Sequence, residues 1–102
     1  MMHLIQILLP LRDNEGAAFD SGLYEEVRKE LTDRFGGVTA FSRAPAEGLW
    51  KDGGKTRGDD IVVLEVMTDA VDDVWWRSYR TALETRFRQD EIVIRAQQMQ
   101  LL

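Results

Sequence analysis

Three polar side chains interrupt sequence stretches that are otherwise mostly apolar. Gln6 lies in "LIQILLPL", Glu65 in "DDIVVLEVM" and Arg95 in "EIVIRAQQMQL". A carboxylate, an amide and a guanidinium can satisfy one another as a hydrogen-bonded row inside an apolar interface. They can instead line a ligand pocket, in which a desolvated Glu65 could accept a proton as a general base. Both interpretations require the three segments to be neighbouring strands of one sheet.

Five further residues could contribute to a ligand site. Arg43 could hold an anionic group, and Trp50 could form a pocket wall. His3 could act as a base, but an ordinary surface or strand-end histidine is the favoured interpretation. Trp75 and Trp76 are about 100° apart on a helix and cannot both face the core. One of the two therefore reaches a flank of the helix, a subunit contact or the mouth of a pocket.

Composition excludes several classes of function. The chain has no cysteine and one histidine, so no disulfide, reactive thiolate, metal site or cofactor is expected. A net charge of −5 disfavours nucleic acid and anionic membranes as partners. The apolar run at residues 4–11 is too short to span a bilayer, which favours a cytoplasmic protein. The glycines of "FGG" and "DGG" lack the Lys-Ser/Thr and the following helix of a phosphate-binding loop, and we interpret them as turns.

The sequence predicts one α+β domain spanning residues 1–102. Hydrophobic patterns and turn signals predict elements in the order βαββαβ. The predicted strands span 3–11, 38–50, 59–67 and 91–101. The first helix is predicted to be capped by Asp20 or Ser21 and ended by Gly36 and Gly37, and the second to be capped by Asp72 or Asp73. Pro45 would interrupt the second strand, and "KDGGKTRG" is predicted to form a hairpin turn.

An internal repeat supports this order. The segment "LYEEVRKELTDRF" at 23–35 aligns without gaps with "WWRSYRTALETRF" at 75–87. The two apolar stripes are Leu23, Val27, Leu31 and Phe35 in the first helix and Trp75, Tyr79, Leu83 and Phe87 in the second. Two βαβ halves of this kind form a ferredoxin-like sandwich with strand order 4-1-3-2 and both helices on one face. We interpret the many helical arginines as solvated i,i+4 partners of glutamates.

The face of the sheet away from the helices is unusually apolar. Leu4, Leu8, Ile61, Val63 and Met67 would lie there beside the three polar residues. A solvated face should alternate to polar residues, so this patch indicates an interaction surface. We expect a homodimer with the sheets packed face to face. Alternatively, the C-terminal "QQMQLL" or the 43–58 segment folds over the face within one subunit.

The segments "EGLWKDGGKTRGDDIVVLEV" and "RFRQDEIVIRAQ" resemble small bacterial protein families of unknown activity. Those families have a Gly-x-Trp segment with an Asp-Gly turn, and an Arg-Phe-x-Gln-(Asp/Glu) segment before the last strand. The resemblance covers about half of the chain and implies a ferredoxin-like order without an activity. The predicted architecture is also similar to dimeric α+β barrel proteins, which include cofactor-independent monooxygenases and isomerases as well as ligand-binding proteins.

We therefore expect a homodimeric domain that binds an apolar or amphipathic small molecule at the sheet face. Gln6, Glu65, Arg95, Arg43 and Trp50 are the candidate ligand-binding residues. The alternative is a cofactor-independent monooxygenase or isomerase of the dimeric barrel type, with Glu65 or His3 as base and an arginine holding an anionic substrate. A regulatory amino-acid-binding domain is a third, weaker hypothesis.

Overall fold

A computed structural model describes residues 2–43, 51–52, 55–56 and 61–102. The elements in chain order are β1 (Met2–Pro10), α1 (Ser21–Phe35), β2 (Thr39–Arg43), β3 (Lys51–Asp52), β4 (Lys55–Thr56), β5 (Ile61–Thr68), α2 (Asp73–Arg86) and β6 (Val93–Met99). Four strands form an antiparallel sheet in the order β2-β5-β1-β6, which confirms the predicted order 4-1-3-2 and the α+β fold. β3 and β4 pair as a separate hairpin where "KDGGKTRG" predicts one.

The central strands β1 and β5 supply the floor of the core. Ile5, Ile7 and Leu9 are at most 1% exposed, and the register places Ile5 opposite Val66 and Ile7 opposite Leu64. These residues share the face that packs against the helices, as strand alternation predicts. Their burial excludes a register shifted by one residue, which would turn the polar row into the core.

Helix α1 begins and ends at the predicted signals. The Asp20 side chain caps the helix by accepting a hydrogen bond from the Gly22 amide. Val27 and Leu31 are fully buried on the stripe that faces the sheet. Gly36 ends the helix with a φ of 83°, a left-handed conformation in which a side chain would be strained.

Helix α2 differs from the prediction in which tryptophan faces the core. Asp72 caps the helix at the Trp75 amide, as expected. However, Trp76 is only 6% exposed, and Trp75 is half-buried, stacking on Tyr79 with ring centroids 4.8 Å apart. Trp76 therefore takes the core position that was predicted for Trp75, while Trp75 is partly buried against the core. A spacing of three from Trp76 to Tyr79 fits a helix as well as a spacing of four, so periodicity could not separate the two residues.

An ion-pair network joins the two helices. Arg86 of α2 donates from Nη1 and Nη2 to both carboxylate oxygens of Glu30 of α1, at 2.6 and 2.8 Å. The Tyr79 hydroxyl donates to Glu30 Oε1 at 2.8 Å, and Glu26 lies 3.5 Å from Arg86. The hydrogen bonds from Arg86 lower the pKa of Glu30, and burial raises the pKa of Tyr79. For Arg86, the prediction of an i,i+4 pair within one helix was wrong, because its partners lie on the other helix.

Candidate functional site

The structure brings Gln6, Glu65 and Arg95 together on the sheet face away from the helices. Gln6 lies opposite Glu65 in β5 and opposite Arg95 in β6. Its Nε2 donates to Glu65 Oε2 at 2.7 Å, and Arg95 Nε donates to its Oε1 at 2.7 Å. The row Arg95–Gln6–Glu65 is thus confirmed as a hydrogen-bonded unit, while its role in ligand binding stays a prediction.

Burial changes along this row. Glu65 and Gln6 are half-buried in the two central strands, whereas Arg95 is exposed on the edge strand β6. The Gln6 amide lies between the two charged groups. Its Nε2 donates to Glu65 and its Oε1 accepts from Arg95. Glu65 therefore keeps a fixed orientation, with one oxygen bonded to Gln6.

A groove of about 620 Å³ lies on the same face beside Glu65. Leu4, Met67 and Met99 line it from three adjacent strands, and Thr39 lines it from β2. Residues 35–38, which connect α1 to β2, form one wall. The groove arises where β2 begins, because Thr39 pairs with Glu65 and the described part of β2 leaves the last residues of β5 without a neighbour on that side. We call it the sheet-face groove.

The sequence identified only part of this lining. Glu65, Leu4 and Met67 were expected on this face, but Thr39 and Met99 were not among the candidates. Met99 could have been found, since it has the same strand parity as Arg95 and must lie on the same face. The wall at 35–38 depends on how the chain leaves α1, which no local pattern determines.

The rest of the face is largely apolar, as expected. Leu8 and Ile61 are half-buried, while Met67 and Val93 are 50% and 44% exposed. Val63 on the same face is 2% exposed. Met67 and Val93 lie on opposite sides of the polar row, so the exposed apolar residues flank the row.

One proposed cover for this face was wrong. In the expected alternative, "QQMQLL" folds over the sheet, but residues 97–99 belong to β6 itself and Leu101 is 58% exposed. These residues extend the edge of the sheet because they continue its backbone pairing with β1. The other proposed cover, 43–58, lies mostly outside the described residues and stays a prediction.

The remaining candidates do not join the row in the described part of the chain. Arg43 ends β2 with its backbone opposite Ile61, but its side chain lies outside the described residues, as does all of Trp50. His3 differs in strand parity from Gln6 and therefore lies on the helix side, where its Nδ1 is buried without a partner among the described residues. Trp75 and Trp76 also lie on the helix side. The predicted catalytic set is thus divided between the two faces.

The described residues contain no group of three or more histidine, cysteine, aspartate or glutamate side chains placed to hold a metal ion. Neither described helix has the length and apolar character needed to cross a membrane.

Comparison with known proteins identifies a structural neighbour at the level of fold. A phage SAM lyase, solved in complex with S-methyl-5′-thioadenosine, superposes with a TM-score of 0.65 at 10% sequence identity, covering 95% of this chain and 81% of the lyase. No family model and no curated protein matches the sequence. The neighbour supports the small α+β fold, and the resemblance to particular bacterial families stays a prediction.

Proposed function

We propose that this protein is a small-molecule-binding domain that acts as a homodimer, with the ligand held in the sheet-face groove. The observation that carries the proposal is a groove of about 620 Å³ with an apolar floor and one oriented carboxylate at its side. Ligand pockets commonly have volumes of about 300–1,000 Å³ and combine apolar walls with a few fixed polar groups. The groove matches that description.

The lining favours an amphipathic ligand with a hydrogen-bond donor. Met67, Met99 and Leu4 offer adaptable apolar contacts to its body. Glu65 has one oxygen engaged by Gln6 and can accept an N–H or O–H of the ligand at the other. S-methyl-5′-thioadenosine, bound by the structural neighbour, combines donors with a thioether and an aromatic base. Fold similarity alone does not transfer that ligand, but it makes the molecule a reasonable probe.

The homodimer part of the proposal is supported by the apolar character of the face. Met67 and Val93, about half exposed, would be covered if the sheets of two subunits packed together. Packed sheets lie about 10 Å apart, so the partner would close the groove from above. A closed, drier groove would also strengthen the hydrogen bond between Glu65 and a ligand.

The ligand hypothesis can be tested by amide chemical-shift mapping. We expect hexylamine and S-methyl-5′-thioadenosine to shift the amides of Leu4, Glu65 and Met67. Glu65→Gln should weaken hexylamine binding about tenfold, since an ion pair becomes a neutral hydrogen bond. Glu91→Gln, which removes the same charge from an exposed position, is the matched control. Shifts confined to other surfaces, or equal affinities in both variants, would contradict the proposal.

The second candidate function is a cofactor-independent monooxygenase or isomerase of the dimeric barrel type. The observation that favours it is the half-buried Glu65 carboxylate, which is held by Gln6 at the groove and could act as a base. Turnover of a bound molecule that Glu65→Gln abolishes without loss of binding would support catalysis. Binding without turnover in the wild-type protein would favour the binding domain.

A further inference from the structure

A second concave site lies on the opposite side of the sheet, between α2 and the edge strand β6. It is a crevice of about 210 Å³. Ile5, Ile94 and Ala96 form its apolar floor, and Trp76 forms a wall. We call it the edge crevice. It shares no residue with the lining of the sheet-face groove.

The crevice exists because the helices cover the centre of the sheet better than this edge. Ala96 lies opposite Ile5 and on the same face, yet Ile5 is 1% exposed while Ala96 is exposed. Ala96 has too small a side chain to fill the space beside α2. The result is apolar surface that is accessible on the helix side of β6.

Two arginines stand at the rim of this apolar floor. Arg77 and Arg80 line the crevice and are three residues apart on α2, so their side chains are neighbours on the helix surface. Both are exposed, and no carboxylate among the described residues is within ion-pair distance of either. Asp73, also at the rim, lies in the first turn of α2, where the helix dipole favours a negative charge. Arg95 also lines the crevice, although its side chain donates to Gln6 on the opposite face of the sheet. The lining therefore has three positive charges against one negative charge.

We propose that the edge crevice binds a small carboxylate with one aromatic ring. The ring would lie on the apolar floor against Trp76, and the carboxylate would accept hydrogen bonds from Arg77 and Arg80. A cavity of about 150 Å³ suffices for benzene, so a crevice of about 210 Å³ can hold one ring but not a large ligand. Guanidinium groups suit a carboxylate because their donors match its geometry.

This site remains accessible in the proposed dimer. A face-to-face dimer covers the surface of Leu4, Glu65 and Met67, whereas the crevice faces the helix layer. The inference therefore does not depend on the proposed function. Failure at one site would leave the proposal for the other unchanged.

The test compares phenylacetate with its neutral analogue phenylacetamide by amide chemical-shift mapping. We expect both to shift the amides of residues 76–80 and 94–96, with phenylacetate binding about fivefold to tenfold more tightly, given partly exposed charge-assisted hydrogen bonds. The Arg77→Gln/Arg80→Gln variant should reduce this preference to about one while leaving phenylacetamide affinity unchanged.

Two further variants complete the experiment. Arg28→Gln/Lys29→Gln removes the same two charges from the exposed surface of α1 and should retain the preference. Ala96→Ile should fill the crevice and abolish binding of both probes, with the fold checked by circular dichroism. The proposal is overturned if the shifted amides lie elsewhere, if neither probe binds, or if both double variants lower phenylacetate affinity equally.

Discussion

The contact between Glu30 and Arg86 provides a quantitative test of how the two helices are held together. Arg86 makes two hydrogen bonds to Glu30, and the side chains are 26% and 35% exposed. A charge-assisted hydrogen bond contributes about 1.5–3 kcal/mol, and partial exposure to solvent reduces this value. We expect a coupling free energy of about 1–2 kcal/mol between the two side chains in a double-mutant cycle.

The cycle uses Glu30→Gln, Arg86→Met and the double variant, because methionine keeps much of the apolar stem of the arginine. The free energy of unfolding is measured by urea denaturation at pH 7 and at one fixed protein concentration, since dimerisation would make it concentration-dependent. For a domain of this size, 1 kcal/mol corresponds to a shift in Tm of about 4–8 °C.

The same pair predicts a pH dependence. The pKa of Glu30 is lower in the folded protein than its ordinary value of 4.5, so unfolding takes up a proton in this range. Its contribution to stability is complete above about pH 4.5 and is lost as pH falls through the lower folded pKa. Glu30→Gln should remove that part of the pH dependence. A coupling free energy near zero would refute this account of the helix contact. So would a Glu30→Gln variant whose free energy of unfolding falls with decreasing pH as steeply as that of the wild-type protein.

The remaining predictions concern helix ends. Gly36→Ala should destabilise the protein by about 1–2 kcal/mol because Gly36 has a φ of 83°. Gly37→Ala is its control, since the added methyl group would meet no atom within 4 Å and no positive φ is involved, and equal losses of stability in urea would count against the assignment. Asp72→Ala should cost about 1 kcal/mol by removing the cap at the Trp75 amide, and an unchanged midpoint of thermal unfolding would show that the cap contributes nothing.

The polar row was predictable because it depends on two robust properties. Strand parity assigns Gln6, Glu65 and Arg95 to faces, and the order of elements makes their strands neighbours. Keeping Ile5 and Ile7 in the core then excludes a register shifted by one residue.

The contacts between the helices were not predictable in the same way. A 3.6-residue period defines a broad stripe, so Trp75 and Trp76 fit it about equally well. The pairing of Glu30 with Arg86 requires the relative position of two helices, which depends on side-chain packing rather than on local pattern. Helical i,i+4 spacing therefore predicted partners for Arg86 within its own helix, whereas its partners Glu30 and Glu26 lie on α1.

The edge crevice was missed for a related reason. Sequence alternation indicates that Ile94 and Ala96 face the helices, but not whether a helix reaches them. Exposure of Ala96 results from the position of α2 over the sheet. The combination of a small residue in an edge strand with Arg77 and Arg80 on the adjacent helix was the only available signal.

The most direct test of the central proposal is the mass of the protein in solution by size-exclusion chromatography with light scattering. We expect twice the 11.7 kDa chain mass at micromolar concentration. Met67→Glu, which places a charge on the half-exposed apolar face, should shift the protein to the monomer while the fold is retained. Glu91→Gln, a charge change at an exposed position, should leave the mass unchanged. A wild-type mass of 11.7 kDa, or a dimer that survives Met67→Glu intact, would contradict dimerisation through the sheet face.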